Sequence, residues 1–485
     1  MTETQLDHNH THQQNRFSVI PTPLRLNVDS EFSGKGITIA FLDSGFYPHP
    51  DLKEPVNRIV AYHDVAQPDA KLPAMRKPAN SDWHGTMTSV AAAGNGYLSD
   101  NIYRGLAFES NVALVKVSQN GEISEENIAR GLEWVIANKE LYNIRIVSIS
   151  LGGDDDVSYK DNKVDQLAEK AIQLGLVLVV AAGNSGCMDR HHTVPPANSP
   201  GVITVGGYDD QNQLDNSNPH LYCSSFGPTA DGIIKPEIIA PAIWIAAPIL
   251  PLTDAFKKAE ALTELSEAPD YELPALARKK RNVVQFPESL TLHDPATIRA
   301  EVEFLLRENK IISSHYQHVD GTSFAAPIVA SVVSLMLEAN PRLTPGAVKN
   351  ILISTAQRIA NASILRQGYG MLNARAAIEQ AKRENHSFDN DHFVPPRIQS
   401  GKLLFTYHND TVERVELSGD FNNWTSGKHF KKDPAGMWKI EIDLPVPGRH
   451  RYKFIVDGNT WVDDAGNGLK EPDNYGGFNS IVNIM

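Results

Sequence analysis

Five apolar runs rich in valine and isoleucine, separated by helical stretches, constrain this chain more than any other feature: Ile37–Leu42, Val112–Val117, Ile144–Ile149, Leu176–Ala181 and Val202–Val205. A strand with one wet face alternates polar and apolar residues, so runs without alternation predict strands buried on both faces, as in a parallel sheet. Helices must cover those faces. Ser124 can cap one that carries Ile128, Leu132 and Ile136 along one side. Val164, Leu167, Ala168, Ala171 and Ile172 line another that stops at Gly175. The prediction is an α/β domain, a mostly parallel sheet with helices on both faces.

A chain of 485 residues exceeds what one core supports, so two domains are expected, one large and one small. No apolar run approaches the roughly 20 residues of a membrane span. A formal charge of −13 offers no basic face for nucleic acid or anionic lipid, so neither nucleic acid nor membrane is an expected partner. Cys187 and Cys223 are the only cysteines, read as two free core thiols in a reducing compartment. The segment from Met1 to Arg16 is polar and lacks a signal-peptide core, which predicts a cytoplasmic protein. His8, His10 and His12 read as part of a solvated tail.

Ligands of such sheets bind beyond the carboxyl ends of the strands, and the residues there are polar or glycine-rich. Asp43-Ser44-Gly45 follows the first run, Ser150-Leu151-Gly152-Gly153 the third, and Gly183-Asn184-Ser185-Gly186 the fourth. His84 precedes a small-residue segment, Met87 to Ala93, that can form a tightly packed helix. Asp320-Gly321-Thr322-Ser323 leads into a long apolar helix, which sets the Ser323 hydroxyl against the positive end of the helix dipole. Singly these are turn, cap and structural residues. Together, Asp43, His84, Asn184 and Ser323 supply the orienter, base, oxyanion donor and nucleophile of acyl transfer.

These motifs resemble those of the subtilisin-like serine proteases. The similarity spans Gly34 to Ala381 and includes His49-Pro50-Asp51-Leu52, His84-Gly85-Thr86, Lys235-Pro236-Glu237-Ile238 and Gly368-Tyr369-Gly370-Met371-Leu372-Asn373-Ala374. It implies peptide-bond hydrolysis of protein or peptide substrates by a catalytic triad of Asp43, His84 and Ser323, with Asn184 at the oxyanion. Ser150, Leu151, Gly152 and Gly153 would line the cleft and pair with the substrate backbone. No cofactor is required; calcium can bind members of the family, and Asp51 matches a position able to ligand it. Met87-Thr88-Ser89 replaces the commoner His-Val-Ala, and Ala242 the usual glycine after Pro241, departures expected to leave the triad untouched.

Residues 1–33 form an N-terminal extension, and Phe17-Ser18-Val19-Ile20-Pro21 resembles the short inhibitory extension of intracellular subtilisins. An ordinary packed arm would read the same. Within the catalytic domain, 34–381, an insertion at 243–319 contains no glycine. Asp294-Pro295 caps a helix with Ile298, Val302, Leu305 and Leu306 on one face, and Phe256, Ala259 and Leu262 suggest another. A lid or substrate-selecting arm and a subdomain that merely packs are both open. Arg278-Lys279-Lys280-Arg281 is either a self-cleavage site or a solvated charge run. A linker follows at 382–397.

From Ile398 to the end the period becomes two: Trp438, Ile440, Ile442 and Leu444 alternate with polar residues, as do Tyr452, Phe454 and Val456. The prediction for 398–485 is an immunoglobulin-like β-sandwich with Trp438 in its core. Trp424 and Trp461 fall in or beside turns, where flat aromatic faces suit sugar rings. The segment resembles the glycogen-binding domain of the AMP-activated kinase β-subunit. That resemblance implies a stacking platform of Trp424 and Trp461, with Lys453 and Asn479 bonding an α-glucan. The expectation is an intracellular serine endopeptidase, targeted to glycogen or a related α-glucan. Its rivals are a silent glucan-binding scaffold and a protease whose sandwich is only structural.

Overall fold

The computed structural model describes residues 18–28, 31–71, 77–153, 157–189, 192–215, 218–384, 396–399, 401–409, 411–425, 427–433, 436–464, 466–467 and 470–484. Seven strands form the parallel body of the main sheet: β1 (Thr38–Asp43), β2 (Ile59–Asp64), β3 (Asn111–Lys116), β4 (Ile144–Ile149), β5 (Val177–Ala181), β6 (Ile203–Asp209) and β7 (Ile238–Pro241). Their order is β7-β6-β5-β4-β1-β3-β2, with His220–Leu221 added antiparallel beside β6. All five expected runs are strands, and β1, β3, β4 and β5 lie inside the sheet with both faces covered.

The covering helices divide as the pleat dictates. Ile39, Phe41, Val112 and Leu114 face one core, shared with α1 (Asp82–Ala93). Ala40, Leu42, Ala113 and Val115 face the other, shared with α2 (Glu125–Asn138) and α3 (Lys163–Gln173). Ser124 caps α2 by accepting from Asn127 N–H, as its sequence position predicts. The subdomain made by the insertion has its own core: α4 (Asp254–Glu267), α5 (Leu273–Val284) and α6 (Pro295–Glu308) bury Leu262, Leu273, Ile298 and Val302 among themselves. It hangs on an antiparallel hairpin of β8 (Ile245–Pro248) and β9 (Tyr316–Val319). Arg278 to Arg281 lie within α5, and a helix does not offer the extended backbone a protease reads, which favours the charge-run reading.

After β9 the chain enters α7 (Thr322–Ala339), which packs against α1 and across β4, β5 and β6. By length and composition α7 could cross a membrane, but it is buried at the centre of this domain. Helices α8 (Pro345–Thr355) and α9 (Ala374–Arg383) complete that face.

The C-terminal domain has two antiparallel sheets. One contains β10 (Arg397–Gln399), β11 (Lys402–His408), β14 (Lys431–Lys432) and β15 (Met437–Asp443). The other contains β12 (Val415–Gly419), β13 (Lys428–His429), β16 (Gly448–Val456), β17 (Thr460–Val462), β18 (Lys470–Pro472) and β19 (Phe478–Ile484). Phe405, Trp438 and Ile440 from the first meet Leu417, Tyr452 and Phe454 from the second, with Trp438 buried as expected. The two domains touch through the Gly368–Gly370 loop. Tyr369 donates to Asp463 at 2.6 Å, Lys470 contacts both groups, and Tyr369 sits 6.0 Å from the Phe478 ring.

Candidate active site

The carboxyl edge of the sheet gathers the residues that the sequence scatters. Asp43 ends β1 and is buried. Its Oδ1 accepts from Ser44 N–H at 2.7 Å and from His84 Nδ1–H at 2.7 Å, while Oδ2 accepts from the Thr88 hydroxyl at 3.0 Å. The carboxylate is therefore fixed by three donors before substrate arrives. His84 lies in the first turn of α1, with Trp83 edge-on at 5.2 Å and Phe324 tilted at 5.9 Å. A side chain at Gly85 would come within 2.3 Å of Gly45 O and 2.8 Å of the Asp43 Cβ, so glycine permits the close approach of α1 to β1. Burial pulls the His84 imidazole down, but the charge and hydrogen bond of Asp43 outweigh it, and the net shift is above the ordinary value of 6.5.

Ser323 is the second residue of α7, lifted into place by Gly321 at φ +133°, a conformation that favours glycine. Its hydroxyl faces the Ser150 carbonyl at 3.4 Å, and Ser150 Oγ donates to Ser323 O at 2.8 Å. His84, Asn184, Ser323 and Phe324 line one cleft, in which the Ser323 hydroxyl is turned to Ser150 O and makes no hydrogen bond to His84; a serine side chain has three staggered wells among which that hydroxyl can turn. Asn184 is oriented through its oxygen, which accepts from Thr322 N–H at 3.0 Å and Thr322 Oγ1 at 3.1 Å. Its amide NH2 is thereby left to point donors into the cleft.

Ser150, Leu151, Gly152 and Gly153 run on from β4. Gly153 N–H donates to Pro195 O at 2.8 Å, so that one donor is committed within the protein and is not offered to a substrate strand. A side chain at Gly152 would meet Val194 at 2.8 Å, and one at Gly153 would meet Glu125 at 2.0 Å, which keeps this edge bare.

Two sequence expectations need correction here. Thr88, read as a departure without consequence for Asp43, His84 and Ser323, holds Asp43 Oδ2; it sits one helical turn after His84, and that i, i+4 spacing puts both on one face of α1. Cys187 and Cys223 are bonded to each other, with Cα atoms 5.3 Å apart, and are not free thiols. The cysteines therefore lend no support to a reducing compartment. Their bridge lies beside the Asn184 loop, where Gly186 N–H donates to Cys223 O and Ser225 N–H to Gly183 O, both at 2.9 Å.

Asp51 does not fit a calcium ligand. Its Oδ2 accepts from the Tyr316 hydroxyl at 2.7 Å, its Oδ1 from Leu98 N–H at 3.2 Å, and its carbonyl from the Arg58 guanidinium at 2.5 Å.

The described part of the N-terminal arm is anchored through Ile20 and Arg25. Arg25 pairs with Asp210 at 2.7 Å and donates to Ile243 O and Trp244 O, and Ile20 N–H donates to Asn212. Phe17 and the residues before it lie outside the described residues.

In the sandwich, Trp424 and Trp461 are 36% and 45% exposed, with ring centroids 6.3 Å apart and planes 43° from parallel. Tyr452, Phe454 and Val456 point into the core, so Lys453 and Ile455 lie on the opposite face of this sheet, where Ile455 is itself covered. Trp461 pairs with Ile455 across the ladder, and Asn479 precedes the buried Ser480, which places both on the outward face with Lys453. Lys453 is held there by the Asp473 carboxylate.

Residues 34–371 match the model of the subtilase family, and residues 402–485 match that of the glycogen recognition site of AMP-activated protein kinase. The serine protease AprX of Bacillus subtilis (strain 168) is 31% identical over 354 residues, 71% of this chain and 67% of that protein. The major intracellular serine protease of the same organism is 31% identical over 196 residues, 39% of this chain and 57% of its own length. Among solved structures, fervidolysin from Fervidobacterium pennivorans shares the fold at a TM-score of 0.52 and 20% identity, covering 90% of this chain and 55% of that one.

Proposed function

Because the chain belongs to the subtilase family and is a subtilisin-like serine endopeptidase, we propose that Asp43, His84 and Ser323 are its catalytic triad and that its sandwich holds α-glucan. The observation that carries the triad is the 2.7 Å bond from His84 Nδ1–H to buried Asp43, in the cleft that Ser323 also lines. That bond leaves Nε2 of His84 unprotonated and able to accept. Ser323 Oγ attacks the scissile carbonyl carbon as its proton passes to Nε2. The oxyanion forms against the Asn184 amide and the Ser323 N–H. His84 then returns the proton to the departing amine, and water repeats the sequence on the acyl-enzyme to release the acid.

The glucan reading is supported by two exposed tryptophans at a fixed angle, flanked on one face by Lys453 and Asn479. Tilted aromatic faces of this kind receive the C–H surfaces of consecutive sugar rings. A purely structural sandwich is favoured by the Tyr369–Asp463–Lys470 contact with the protease domain. A serine-directed phosphonate tests the first reading: it should label wild type at Ser323 and leave Ser323→Ala unlabelled. Co-sedimentation with glycogen, with Trp424→Ala as control, tests the second; equal recovery of both proteins in the supernatant rejects it.

A further inference from the structure

The cleft beside Ser323, about 400 Å³, has a wall that the protease core does not supply. It is lined by His84 and Phe324 and, from the insertion, by Asn309 and Lys310. They stand at the end of α6, where Lys310 turns the chain at φ +56°. The turn is pinned: Lys310 O accepts from His318 N–H of β9 at 2.8 Å, and the Asn309 side chain accepts from Lys258 and donates to Leu305 O, both at 2.7 Å. From it the Lys310 ammonium reaches Asp320, three residues before Ser323.

The side of the cleft follows from the reaction proposed above, on which this inference rests. His84 must reach the departing amine, so the leaving half of a substrate emerges past His84 and Phe324. The Ser150–Gly153 edge, which takes the acyl half, does not line this cleft. Of the Lys310–Asp320 ion pair in this cleft, the cation is the more exposed member, 46% against 27%. Asp320 gives Oδ2 to Lys310, and its Oδ1 is buried facing His318 at 4.0 Å, without a hydrogen-bond partner among the described residues. Lys310 is 46% exposed and keeps further N–H donors for a second acceptor.

We propose that Lys310 is a specificity-determining residue, selecting an acidic side chain at the first or second position on the leaving-group side of the scissile bond. The inserted subdomain is then a substrate-selecting arm, positioned by the β8–β9 hairpin.

The test uses the full chain and matched peptides carrying Glu, Ala or Lys at those two positions, with cleavage at one bond verified by mass. Wild type should prefer Glu over Lys by about tenfold in kcat/KM, the size of one attraction exchanged for one repulsion at a half-exposed site. Lys310→Ala should bring the ratio near one, and Lys310→Glu should invert it. Each ratio is internal to one preparation, so partial unfolding of a variant cancels. A wild-type ratio at or below one overturns the proposal, as does a ratio that survives both substitutions. A peptidyl p-nitroanilide, which has no residue on that side, reports the Ser323 reading separately: wild type that cleaves it but ranks the peptides equally refutes only the role of Lys310.

Discussion

His84 and Asp43 meet through Nδ1 and Oδ1 at 2.7 Å, in a site where burial and charge pull the imidazole in opposite directions. The charge prevails, and the His84 pKa stands above 6.5. A general base works only when neutral, so raising its pKa moves the acid limb of activity to higher pH. The kcat/KM profile should therefore have its acid midpoint above 6.5. Asp43→Asn removes the charge that raises the pKa and disturbs the tautomer, so the midpoint should fall and kcat should drop by about 10⁴-fold. A midpoint that is the same in both proteins would contradict this account.

In the proposed mechanism Asn184 acts on the oxyanion with the amide that its bonds to Thr322 leave uncommitted. Asn184→Ala should lower kcat by about 10²–10³, the known size of this effect in subtilisin itself, with KM nearly unchanged. The same substitution strips the acceptor from Thr322, so a melting curve is needed alongside. A fall confined to KM would place Asn184 in ground-state binding instead.

The parts of this molecule that were legible in its sequence are those with a local cause. Ile144–Ile149 is buried on both faces and reads as an unbroken apolar run, whereas Ile59–Asp64 at the sheet edge is half wet and carries no such signature. Ser124 and Asp294 announce their helices because a cap needs only its own neighbours. The Cys187–Cys223 bond and the reach of Lys310 to the cleft depend on segments that meet only in the fold. Thr88 stands between these cases: its helix was expected, but its bond to Asp43 requires knowing how closely α1 approaches β1.

The Cys187–Cys223 bridge closes a loop with a sequence separation of 36 and clamps the segment that bears Asn184. Chain-entropy arguments put such a loop at about 4 kcal/mol, an upper figure for the stability it supplies. Cys223→Ser should lower the melting temperature and, because the clamp is beside the proposed oxyanion donor, also lower kcat. Both effects should be reproduced in wild type by a reductant that breaks the bond. Full activity after verified reduction would show that the loop holds its shape through Gly186 and Ser225 alone.

Tyr369 joins the domains through its hydroxyl, donating to Asp463 at 2.6 Å while Lys470 contacts the hydroxyl and stands 4.8 Å above the ring. Tyr369→Phe keeps the ring and the Lys470–Asp463 pair but removes a hydrogen bond to a charged group, worth about 1.5–3 kcal/mol. That contact should couple the unfolding of the sandwich to that of the protease. Calorimetry should show one transition in wild type and two in Tyr369→Phe, with the sandwich melting first because its smaller core has lost its support. Two resolved transitions in wild type at the same temperatures would mean that the domains unfold independently and that the hydroxyl does not link them.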